Sequence, residues 1–138
     1  MTGPTPEYRA FVEAGIGVCM AVILSDGTFS EDEFAWWKAL QNRHPLFRDV
    51  PAEEFNPMLA RVKARLLSEP WEGLVQQWAG AVPAQYREAL LETASQTAII
   101  DRKVVSGEPN IIRHIWRALG ISDERGANIF ASVMNSMR

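Results

Sequence analysis

An uncharged apolar run that ends in an acidic corner occurs twice in this chain, and an apolar helix of that kind has to be covered by neighbours on most of its sides. Residues 21–34 read AVILSDGTFSEDEF, and residues 96–109, 75 positions later, read QTAIIDRKVVSGEP. In both, Asp closes the apolar run (Asp26, Asp101), an apolar residue follows at three (Phe29, Val104) and Glu at seven (Glu33, Glu108). The same offset carries Trp37 onto Ile112 and Leu40 onto Ile115. This predicts one helix-corner-helix unit used twice, with two central helices delivering Asp26 and Asp101 to the surface.

The Asp-Gly pair, the apolar residue two positions on and the terminal Glu of the first corner fit the second half of an EF-hand loop. The first half fails, because its first and third ligand positions fall on Val22 and Leu24, and in the copy on Thr97 and Ile99. Val22, Leu24 and Ile99 carry no side-chain oxygen for a hard cation and Thr97 supplies only a hydroxyl, so the EF-hand is rejected.

Apolar periodicity predicts helices throughout and no strand. The first starts near Pro6 and is apolar almost all round; Ala14, Gly15, Gly17 and Ala21 remove bulk, so that a neighbouring backbone is expected to lie close. The second carries Phe34, Trp37 and Leu40 and stops at His44-Pro45. The third spans 52–68 with Phe55, Met58, Leu59, Val62 and Leu66 on one face, and Pro57 is expected to break or bend its first turns. Trp71, Leu74, Val75 and Trp78 stripe a short fourth. Pro83 opens a fifth that ends in the uncharged stretch 93–100. Ile111, Ile112, Ile115, Trp116 and Leu119 form a sixth, stopped by Gly120. Ser122 begins the last, faced by Ile129, Phe130, Val133 and Met137. The expected fold is all-α: a single compact domain over residues 1–138, about seven helices joined by short connections in mostly antiparallel order, with residues 1–5 frayed.

Composition removes several functional classes. The 138 residues are 47% hydrophobic and 22% charged, which suits one folded domain burying roughly two-thirds of its unfolded surface. A net charge of −3 gives no electrostatic footprint for nucleic acid or for an anionic membrane. The only cysteine, Cys19, lies in an apolar run, so it reads as a core residue, without an intrachain disulfide or a paired-cysteine metal site. MTGPTPEY has no signal-peptide pattern, and the uncharged run 14–25 falls short of the roughly 20 residues a membrane helix needs. A cytoplasmic location is expected.

The two units, the phrase AVILSDGTFSEDEF and the phrase AIIDRKVVSGEPNIIRHIWRALGIS together resemble the tellurite-resistance TerB family, from about Phe11 to Ile121. The resemblance implies a seven-helix cytoplasmic domain of bacterial stress resistance, without established enzymatic activity and with metal or metalloid contact at its acidic corners.

Two accounts of the corner acids follow from the residues. If the corners converge, Asp26, Glu33, Asp101 and Glu108 offer an oxygen-only ligand set suited to Ca²⁺ or Mg²⁺. Alternatively Ser30 with Glu33 forms a capping box, Asp26 holds its own turn, Glu108 faces a helix dipole, and Arg102 and Lys103 neutralise the second corner. Capping rests on the commoner physics. His44 and His114 lack partner ligands at helical spacing and read as hydrogen-bonded side chains. Trp36 lies beside its helix's apolar stripe and is a candidate contact residue. The preferred expectation is a non-enzymatic interaction or sensing module with a protein partner. The alternatives are a metal-dependent enzyme and a homo-oligomeric scaffold, the latter signalled by an apolar patch at Trp36 or on the last helix.

Overall fold

The computed structural model describes residues 5–24, 47, 49–100 and 110–136, and among these the regular structure is entirely helical. The helices are α1 (Pro6–Leu24), α2 (Ala52–Ser68), α3 (Trp71–Ala79), α4 (Arg87–Ile100), α5 (Asn110–Ala118) and α6 (Asp123–Ser136), with a 3₁₀ turn at Ala84–Tyr86 leading into α4. The all-α expectation therefore holds, and six of the seven expected helices are in place. The expected helix through Phe34, Trp37 and Leu40 lies outside the described residues, as do both corners.

Helix α1 is the centre of the domain. From Phe11 to Val22 every residue but Glu13 is buried, and α2, α3, α4 and α5 all pack against it. Its glycines do make room, for aromatic rings instead of a backbone. A Cβ on Gly17 would lie 2.6 Å from the indole of Trp78, and one on Gly15 3.0 Å from the ring of Phe47. A flat ring seated in a notch buries far more apolar area than a second backbone would.

The direction of packing departs from the antiparallel expectation. Phe11 stacks on Tyr86 with ring centroids 4.6 Å apart, Leu90 lies against Gly15, and Cys19 lies beside Thr97. Positions rise together on the two helices, so α1 and α4 run side by side in the same sense. Arg9 with Glu54 and Glu13 with Arg61 order α1 and α2 likewise. Same-sense neighbours need a return crossing between them.

Local signals fix most of the helix ends. Glu69 is extended at φ −133°, as the residue before a proline must be, and this stops α2. Pro57 does not break α2, which continues through it to Ser68. Glu53 and Pro57 are both exposed, so the carbonyl that loses its amide partner faces solvent. The end of α5 is a Schellman motif: the Ile121 amide donates to Trp116 O at 2.8 Å and the Gly120 amide to Arg117 O at 3.0 Å, with Gly120 at φ 76°. Ser122 then caps α6, its Oγ accepting from the Arg125 amide at 3.2 Å.

Two of the three hydroxyls at the uncharged end of α4 bond back to its own turns, whereas Ser95 Oγ is buried with no hydrogen-bond partner among the described residues. Thr93 Oγ1 donates to Ala89 O at 3.0 Å and Thr97 Oγ1 to Thr93 O at 2.9 Å. Cys19 is fully buried among these residues, and its thiol is pushed up to about 12 by burial, the neighbouring Thr97 side chain acting the other way. The thiolate is the reactive form, so iodoacetamide at mildly alkaline pH is expected to leave the folded protein unlabelled and to modify Cys19 in denaturant. Comparable labelling rates in the two states, followed by mass spectrometry, would contradict the burial.

Candidate functional site

Asp26, Glu33, Asp101 and Glu108 all lie outside the described residues, and so do His44 and Trp36. What is observed is the frame that leads to them. Asp26 comes two residues after the end of α1 and Asp101 one residue after the end of α4. Because those helices run side by side in the same sense, both leads emerge at the same end of the pair. Among the described residues, no three His, Cys, Asp or Glu side chains are grouped as a metal site would need.

His114 is held structurally. Its ring meets the Trp71 indole edge to face at 5.0 Å, and Nε2 lies 3.3 Å from the Glu72 carbonyl, which joins α5 to α3. Trp78 and Trp116 are buried and Trp71 partly so, as their periodicity predicts.

Charged residues on the surface of α1 and α2 shape a cleft of about 560 Å³, with Met58 and Trp78 among its lining. Arg9 Nε lies 2.6 Å from Glu54 Oε1, and Arg61 Nε lies 3.2 Å from Glu13 Oε2, so two ion pairs span from one helix to the other. Exposed pairs of this kind align neighbouring helices more than they stabilise them.

The corner between α5 and α6 is the most tightly determined polar feature, and sequence reasoning passed over it. Asp123 Oδ1 accepts from the Trp116 indole N–H at 2.8 Å and from Arg117 Nε at 2.9 Å, while Oδ2 accepts from Arg117 Nη2 at 2.8 Å. One carboxylate in the first turn of α6 thus orients a buried indole from α5. The signal was available in principle: an Asp just after a helix-capping Ser, seven residues beyond a Trp and six beyond an Arg. The Arg117 fork, and then the indole N–H, hold the Asp123 carboxyl well below its ordinary value of 3.8.

A pH dependence follows from that shift. The folded state favours the ionised carboxylate, so this contribution is complete above pH 3.8 and is lost as the pH falls below it. Asp123→Asn is expected to be less stable than the unaltered protein at neutral pH and to converge with it in acid. Urea midpoints across that range check this, and a difference that persists unchanged into strong acid would contradict it.

The fold and these sites define a compact all-helical domain with a central buried helix, none of whose described helices is long and apolar enough to cross a membrane. No family model, curated protein or solved structure matches the chain.

Proposed function

We propose that the chain is a non-enzymatic interaction or sensing domain of the tellurite-resistance TerB type, acting in the bacterial cytoplasm in response to stress. Its acidic corners take a protein partner and a hard divalent cation, Ca²⁺ or Mg²⁺, through Asp26, Glu33, Asp101 and Glu108. The observation that supports this reading is the same-sense packing of α1 and α4. Ligands shared between two corners need both corners to start from one end of the molecule, and the leads into them do so. Two of the three contacts also repeat the sequence offset, Phe11 meeting Tyr86 and Gly15 meeting Leu90, each 75 positions apart, while Cys19 and Thr97 are 78 apart. Equivalent positions touching across a same-sense pair are what an internal twofold along that pair requires.

Calorimetric titration with Ca²⁺ and with Mg²⁺ tests the cation. Binding heat and a raised melting temperature are expected in the unaltered protein, and both should be lost in Asp26→Asn and in Asp101→Asn. Silence at millimolar ion removes the cation from the proposal, and a response that survives both substitutions together removes the corners from it.

A further inference from the structure

Helices α5 and α6 enclose a groove of about 590 Å³ that neither the corners nor the ion pairs of α1 and α2 explain. Its walls are Trp116, Phe130 and Met134, and between them Ala127 and Ala131, one turn apart and exposed, leave a trough. Arg113 stands exposed at the edge. Arg117 on the same rim is engaged by Asp123 in a two-point pair, whereas Arg113 makes no ion pair or hydrogen bond among the described residues and acts on Asp123 only at longer range. The groove's lining carries two guanidinium groups against one carboxylate, so an apolar trough with a local excess of positive charge selects its occupant by charge.

We propose that this groove receives an acidic amphipathic helix of a partner protein, an apolar side chain entering the trough over Ala127 and Ala131 and a carboxylate one turn away pairing with Arg113. The geometry is that of helix-in-groove recognition, in which apolar anchors at three- and four-residue spacing seat one face and flanking charges set the register. Met134 suits such a wall, because its unbranched thioether adjusts to the shape of the anchor. The proposal rests on the reading of the chain as an interaction domain and not on the cation chemistry of the corners.

The probe is a synthetic amphipathic helix with leucines on one face and glutamates flanking them, titrated into isotope-labelled protein with chelator present, so that cation binding plays no part. Amide shifts confined to residues 113–134 are expected, with affinity about tenfold above that of the same peptide carrying lysines. Arg113→Glu should reverse that preference, and Ala131→Glu, at an exposed helical position, should abolish binding while the remaining spectrum keeps its folded dispersion. Equal binding of both peptides overturns the proposal, as do shifts centred elsewhere or indifference to Arg113→Glu. Concentration-dependent shifts at the groove without peptide would overturn it in favour of a second copy of the chain.

Discussion

Gly126→Ala is expected to destabilise the protein by about 2–3 kcal/mol, although alanine is the better helix former by roughly 1 kcal/mol. A Cβ at this position would lie 2.2 Å from Cδ2 and 2.4 Å from Cγ of Trp116. The indole has little freedom to withdraw: it is buried, and its N–H is tied to Asp123, three residues before the glycine on the same helix. Relief therefore requires α6 to move off α5. Gly73→Ala is the control, since nothing lies within 4 Å of its Cβ position on α3, and there the helix preference should appear as a small gain. Urea unfolding of both variants decides the matter, and a neutral or stabilised Gly126→Ala would show that the α5–α6 contact is looser than the structure has it.

Trp78→Ala is expected to cost about 3–5 kcal/mol, the range for deleting a buried aromatic side chain. The ring fills the notch at Gly17, joins α3 to the central helix and carries the Arg65 guanidinium 5.8 Å from its centroid. The more searching measurement is the double-mutant cycle with Gly17→Ala. Alone, Gly17→Ala drives a methyl group into the indole at 2.6 Å and should be strongly destabilising; in the Trp78→Ala background that methyl enters vacated space. A coupling well above 1 kcal/mol is expected. Additive effects would mean that the ring and the glycine do not oppose one another.

The helices were legible because their signals are local. Ala52 and Ser68 bound α2 where a proline starts it and Glu69-Pro70 ends it, and Gly120 and Ser122 mark the α5–α6 joint that both ends confirm. Direction of packing was not legible, since period and capping are the same whether a neighbour runs up or down, and only the contacts of Phe11, Gly15 and Cys19 fix it. Small residues on α1 announced a close approach without saying by what, and the answer came from rings 32 and 61 positions further along the chain, Phe47 and Trp78. The Asp123 clamp was missed for a related reason: an acid at a helix start already has a sufficient local duty, and its tie to Trp116 depends on the turn geometry that Gly120 sets. The four corner acids remain a reading of residues, joined to the observed fold by the two helices that lead toward them.

The placement of α1 also bears on how the protein is made. This greasy segment is made before every helix that covers it, and α4, which lies along it in the same sense, begins only at Arg87, so at about 5–20 residues per second that side of α1 waits several seconds for cover. During that interval a nascent chain presents a sticky surface that a holding chaperone would recognise, and a translation product stopped short of α4 should accumulate as insoluble material.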